Sequence, residues 1–195
     1  MERPRFTVSA KKAKAPRYSR EEWLSLALDV LARGGNAKLR VEAIAAALGV
    51  TTGSFYWHFK DRSDFLESLV RHWGVVTTDP VIEHVSGSPG DAKSRLYALL
   101  DIVFRMNLAR YDVSVRAWAA QEPSIEPLVA EVDERRFGFV RSLLSEIGFQ
   151  DQELEMRVRA CIGYLILDPT VFDSTRDEKY RFEMLTLFHA VITKN

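Results

Sequence analysis

The sequence predicts an all-α protein of about nine helices, arranged as a small N-terminal domain followed by a larger helical bundle. Three observations lead there. Apolar residues recur at three- and four-residue spacing through most of the chain, no convincing alternating strand appears, and glycines or prolines close the apolar runs where helices would end. With 195 residues, 47% of them hydrophobic, there is length enough to bury a substantial core.

Taken in order, residues 1–18 carry Arg3, Arg5, Lys11, Lys12, Lys14 and Arg17 with two prolines and little periodicity, and read as a mobile basic arm. Ser19 with Glu22 three residues on forms a capping box, which opens a helix whose stripe is Trp23, Leu24, Ala27, Leu28 and Leu31. Gly34-Gly35 stop it. Val41, Ile44, Ala45 and Leu48 share one face of a two-turn helix closed by Gly49. Thr51 is placed to cap a further short helix through Phe59. Asp61, with Asp64 three later, caps a fourth helix over residues 61–73, carrying Phe65, Leu66, Leu69, Val70 and Trp73. Residues 75–89 are less regular, and Ser86-Gly87-Ser88-Pro89-Gly90 is a turn.

The remaining chain reads as longer helices with short breaks. Leu96, Leu99, Leu100, Val103, Phe104 and Leu108 form one amphipathic face. A short apolar segment covers residues 113–120, and a longer helix over 128–147 ends at Gly148. Leu154, Val158, Cys161, Ile162 and Leu165 follow, then Asp168-Pro169 breaks the helix. A last helix from about Asp177 carries Tyr180, Met184, Leu187, Phe188 and Val191.

The formal net charge is zero, yet the distribution is uneven. Residues 1–72 hold 13 basic and 8 acidic side chains, whereas residues 73–195 hold 14 and 19. A basic front on an acidic rear suggests that only the front meets a polyanion. The lone cysteine, Cys161, can form no internal disulfide and fits a reducing compartment; on its apolar face it reads as an inert buried thiol. The longest apolar run is about eight residues, far short of a membrane span of about 20, and there is no apolar signal-peptide core, so a cytoplasmic protein with no membrane association is expected. His72, His84 and His189 lack metal-ligand spacing. No phosphate loop, dinucleotide glycine pattern or nucleophile elbow is present, and the acidic residues alternate with Arg as solvated faces do. No enzyme, metal or cofactor is expected.

The informative stretch is residues 40–59. Two short helices joined at Gly49 read as a helix-turn-helix: Ala45 is small where the helices cross, Gly49 permits a positive φ, and Val50 plugs the turn from behind. Thr51, Thr52, Gly53 and Ser54 are short residues that let the second helix enter a major groove by its N-terminus. Its amide end suits a phosphate. Phe55 and Phe59, four apart, belong to the core.

The run Gly49-Val-Thr-Thr-Gly-Ser-Phe-Tyr-Trp-His-Phe59, with Lys60, Arg62 and Phe65-Leu66 behind it, resembles the DNA-binding domain of TetR-family transcriptional regulators. Gly49, Val50, Thr51, Gly53, Tyr56, His58 and Phe59 match that family's signature, and Arg62 stands where Lys is usual. Two positions depart: Arg40 replaces the usual Ser or Thr cap, and Thr52 stands where Lys is frequent. The strong likeness covers roughly residues 19–73. It implies a basic arm (1–18), a helix-turn-helix domain (19–65) and a helical effector-binding and dimerisation domain (66–195).

The resemblance also implies roles. Tyr56, His58 and Lys60 are expected on phosphates; Thr51, Thr52, Gly53, Ser54 and Trp57 at base edges or adjoining phosphates; and Arg40 near the DNA backbone. The expected partner is a palindromic double-stranded operator, bound by a homodimer and released when a small molecule of apolar character enters the rear domain. Phe104, Leu108, Trp118 and Tyr164 are candidate ligand contacts. Val158, Cys161, Ile162 and Leu165, with Met184, Leu187, Phe188 and Val191, are candidate dimer contacts. The alternative is a DNA-binding regulator whose rear domain only dimerises or binds a protein partner.

Overall fold

The computed structural model describes residues 18–167 and 177–194; among these the chain forms nine α-helices and two short 3-10 segments, with no strand. The helices are α1 (Arg20–Gly34), α2 (Val41–Leu48), α3 (Arg62–Thr77), α4 (Asp79–Ser86), α5 (Ala92–Arg105), α6 (Ala109–Ala119), α7 (Glu126–Ile147), α8 (Asp151–Leu167) and α9 (Glu178–Ile192). The 3-10 segments are Asn36–Lys38 and Thr52–Trp57. The expected basic arm and the break at Asp168-Pro169 lie outside the described residues.

Local signals set most helix boundaries. At α1 both halves of the capping box form: the Ser19 hydroxyl accepts from the Glu22 N–H at 3.2 Å, and Glu22 Oε2 accepts from the Ser19 N–H at 2.6 Å. Asp61 caps α3 through the Asp64 N–H at 2.9 Å, and Asp177 caps α9 through Tyr180. Two expectations are corrected. Residues 75–86 are mostly helical: α3 continues to Thr77 and α4 follows, with Val81 and Val85 buried four apart and Pro80 tolerated in its first turn, while the turn expected after Ser86 is present. The segment after Thr51 is a six-residue 3-10 helix, and the Thr51 hydroxyl makes no cap bond. Thr-Thr-Gly-Ser is a poor helix-forming run, too short to repay α-helix nucleation.

Two hydrophobic cores organise the molecule. The first joins α1, α2, the Thr52–Trp57 segment and α3 to α6 and the start of α7, through Val115, Trp118, Ile125, Val129 and Val132. The second holds α4, α5, the rear of α7, α8 and α9. Helix α7 belongs to both, and α3 runs through residue 65 without interruption, so one continuous helix joins the helix-turn-helix to the bundle. Their approach is close: a Cβ on Gly74 of α3 would lie 2.7 Å from Val132 Cγ2 of α7. Polar pins reinforce the junction. Tyr111 Oη donates to Asp29 Oδ1 at 2.8 Å, joining α6 to α1, and Asn36 Nδ2 donates to Gln121 Oε1 at 3.0 Å.

His72 sits in the α1–α3 seam, where Nε2 is 2.9 Å from Ser25 Oγ. Burial lowers its pKa from the ordinary 6.5, opposed by the nearby Glu21 carboxylate. The folded state therefore binds the proton less readily than the unfolded chain. Stability is fully present above about pH 6.5 and declines as the pH falls below it. His72→Gln flattens this part of the urea-midpoint profile between pH 7.5 and 5.5; an unchanged profile would place the dependence elsewhere.

Candidate nucleic-acid interface and internal cavity

The helix-turn-helix is built around a left-handed residue. Gly49 ends α2 at φ 66° and ψ 34°, a conformation that costs a side-chain-bearing residue roughly 1 kcal/mol. The turn is closed by the Val50 N–H donating to Ala45 O at 2.9 Å. Behind it Phe55 and Phe59 are fully buried and form an aromatic cluster with Trp23 and Phe65, at centroid separations of 4.9–5.8 Å. Burying these two rings forces their neighbours outward. Tyr56 is 67% exposed and Trp57 60%, and Thr51, Thr52 and Gly53 are exposed beside them. Two large aromatics on an exposed turn are costly to leave in water unless a partner covers them.

The flanks continue the surface. Arg40 is exposed at the start of α2 and its side chain caps nothing, leaving the guanidinium free of the helix end. Lys60 is exposed, while its backbone N–H donates to Asp64 Oδ2 at 2.9 Å. Asp64 also accepts from Arg20, and these bonds hold its pKa below the usual carboxylate range, the Lys60 amide contributing most. Ser54 is half-buried. His58 sits differently from the others: its ring packs on Trp23 and Phe59, and Nε2 is enclosed without a hydrogen-bond partner among the described residues. At least that nitrogen faces the protein, because the ring follows Phe55 round the turn toward the core.

The rear domain contains a cavity of about 60 Å³ between α3, α4, α5, α6, α7 and α8. Its walls are apolar, with Val81, Leu99, Val103, Val140, Ile162 and Leu165 among them. One end is not. Arg136 from α7 donates from Nε to Thr78 Oγ1 at 2.9 Å, from Nη2 to Thr77 Oγ1 at 2.6 Å, and from Nη1 to Asp112 Oδ1 of α6. The same guanidinium lies over the Trp73 ring at 4.6 Å. Arg116 approaches Asp112 at 3.7 Å and pairs with both oxygens of Asp133 at 2.5 and 2.7 Å. Burial raises the Asp112 pKa, and the two guanidiniums oppose it. One arginine thus ties the cavity wall to the last turn of α3.

Among the four candidate ligand residues, Leu108 lines this cavity. Phe104 and Tyr164 line a smaller recess of about 20 Å³, which shares Val103, Ala109 and Leu165 with the cavity. Trp118 lies on neither; six residues beyond Asp112 it points about 240° further round α6, into the first core. Asp112, Arg136, Thr77 and Thr78 went unread because charged residues on amphipathic helices look solvated until the helices cross over them.

The candidate dimer residues divide as well. Val158, Cys161 and Ile162 are buried within the protomer, in the second core. Leu165, Met184 and Phe188 are half-buried, and the Phe188 ring stacks on Tyr164 at 4.0 Å. Leu187 and Val191 are exposed at 58% and 69%. Helix α8 is apolar on two sides, and its outward side carries Met156 and Leu167. Burial pushes the Cys161 thiol up to about 12. The folded protein is therefore expected to resist iodoacetamide at pH 8 and to react once unfolded in urea; equal rates would contradict this burial.

Residues 24–69 match the family model for bacterial regulatory proteins of the tetR family. That stretch is a TetR-family DNA-binding domain. Over 82 residues it is 33% identical to the HTH-type transcriptional regulator AcrR of Shigella flexneri, a stretch spanning 42% of this chain and 38% of that relative. The likeness of fold to solved structures extends through the rear domain. A transcriptional regulator from Saccharomonospora viridis, solved with choline, superposes with a TM-score of 0.72 at 18% identity, covering 87% of this chain and 94% of that one. FadR from Bacillus subtilis, solved with stearoyl-CoA, superposes with a TM-score of 0.66 at 18% identity, covering 89% and 97%. Among the described residues no helix is long and apolar enough to cross a membrane, and no cluster of His, Cys, Asp or Glu could hold a metal ion.

Proposed function

We propose that this protein is a cytoplasmic, homodimeric transcriptional repressor of the TetR family, released from a palindromic operator when a small molecule enters the cavity of its rear domain. The observation that carries the DNA-binding part is the exposed surface Thr51–Thr52–Gly53–Tyr56–Trp57, braced from beneath by the Phe55–Phe59–Trp23–Phe65 cluster and flanked by Arg40 and Lys60. In this reading Tyr56, Lys60 and Arg40 hold phosphates, while Thr52, Ser54 and Trp57 face base edges. His58 acts by packing the turn through its enclosed side. The arm at residues 1–18 adds salt-sensitive affinity.

The dimer face in this reading is the outer side of α8 and α9. Met156, Ala160, Gly163 and Leu167 follow a spacing of four, three and four, and so do Tyr180, Met184, Leu187 and Val191. That is the seam spacing of helices packed in pairs. A two-fold axis through this face sets two reading units toward half-sites on one duplex.

Release follows from the Arg136 tie. The cavity is small against the ~300–1,000 Å³ of typical ligand pockets, so an occupant must widen it. Widening moves Thr77 and Thr78 against Arg136, and α3 carries that displacement to the reading turn. The ligand shifts occupancy only by its differential affinity for the two states. The same small volume also favours the second reading, a rear domain that only dimerises.

Selection from a random duplex pool followed by salt titration tests the DNA-binding part. Lys60→Ala lowers affinity for all selected duplexes alike and reduces the salt slope by about one. Thr52→Val changes which duplexes are preferred. A uniform loss after the Thr52 change would remove it from the base-reading set.

A further inference from the structure

The polar end of the cavity says what kind of molecule it takes. Asp112 is 5% exposed and lines the cavity. Its Oδ1 accepts from Arg136, whereas Oδ2 has no hydrogen-bond partner among the described residues. That oxygen is not sealed in the core, so it can accept from a donor that enters the cavity, and a carboxylate oxygen with no protein partner gains from one. The charges around it already balance: Asp112 and Asp133 face Arg116 and Arg136. An added cation would be a third desolvated positive group, and an anion would meet the Asp112 oxygen directly. The walls beyond are aliphatic, with Val81, Leu99, Val103, Ile162 and Leu165.

We infer that the cavity selects an uncharged, mainly aliphatic molecule bearing a hydroxyl, which donates to Asp112 Oδ2 while its hydrocarbon body lies along α5 and α8. This rests on the proposal that the cavity is the effector site. Because the other carboxylate oxygen is held by Arg136, which in turn holds Thr77 and Thr78, the hydroxyl contacts the tie between cavity and α3 itself.

The test is calorimetric titration of the full chain with four probes of one size: hexanol, methyl pentyl ether, hexanoate and hexylamine. Hexanol binds the wild type about tenfold or more tightly than the ether, which has an acceptor in place of the donor, and hexanoate and hexylamine bind more weakly still. In Asp112→Asn the amide oxygen must face the Arg136 donors, which turns the NH2 group to the cavity; hexanol and the ether can both accept from it, so the preference for hexanol is lost. Val103→Trp fills the space and abolishes binding of every probe. Equal wild-type affinity for hexanol and ether overturns the hydroxyl assignment while leaving the cavity as a site. No binding by any probe, or binding that survives Val103→Trp, overturns the assignment and the effector-site reading together. The wild-type comparison decides the matter even where a variant fails to fold.

Discussion

Phe55→Ala is expected to destabilise the protein by about 3–5 kcal/mol and to abolish DNA binding in the folded fraction that remains. The ring is fully buried and touches Trp23, Tyr56, Phe59 and Phe65, so its removal empties the centre of the cluster beneath the reading turn. The turn has little else to hold it. Its six residues form a 3-10 segment without a side-chain cap, and two of its largest side chains point into solvent. Urea unfolding and duplex titration on the same preparation measure both effects. A loss under 1 kcal/mol with DNA binding intact would mean that the turn is held by something other than this cluster.

Arg136→Met is expected to cost about 3–5 kcal/mol, because it leaves the buried Asp112 carboxylate without its principal partner. The guanidinium makes three hydrogen bonds and a ring contact: to Asp112 on α6, to Thr77 at the end of α3, to Thr78 at the cap before α4, and over Trp73. Methionine keeps much of the side-chain length and loses all the donors. Adding Asp112→Leu removes the stranded charge, so the double variant should recover much of the loss, although the Thr77 and Thr78 contacts stay broken. A double-mutant cycle by urea denaturation separates these. Strict additivity would show that Arg136 and Asp112 do not act as a pair.

How much of this was legible beforehand depended on whether the signal was local. The capping box at Ser19 and Glu22, the Asp61 cap and the Gly49 turn each involve residues within four positions of one another, and each was readable. The inward faces of α1 and α3 were equally plain, since their stripes of Trp23, Leu24, Leu28 and Phe65, Leu69, Trp73 sit on otherwise polar helices. The exposure of Tyr56 and Trp57 followed from the phase of Phe55 and Phe59. What resisted reading was tertiary. Helix α8 is apolar on two sides, and only its packing on α7 decides that Val158, Cys161 and Ile162 point inward while Met156 and Leu167 point out. The cavity pole draws on Thr77, Asp112 and Arg136, which are 35 and 24 positions apart in the chain. No periodicity brings them together; the crossing of α3, α6 and α7 does.

The proposed function requires two copies reading one duplex. Sedimentation of the purified chain with duplexes selected from a random pool tests this most directly. Two protomers should bind each inverted repeat, with half-site centres about one helical turn (~34–36 Å) or a multiple apart, and affinity should fall steeply with salt. A chain that sediments as a monomer and selects no sequence would contradict it.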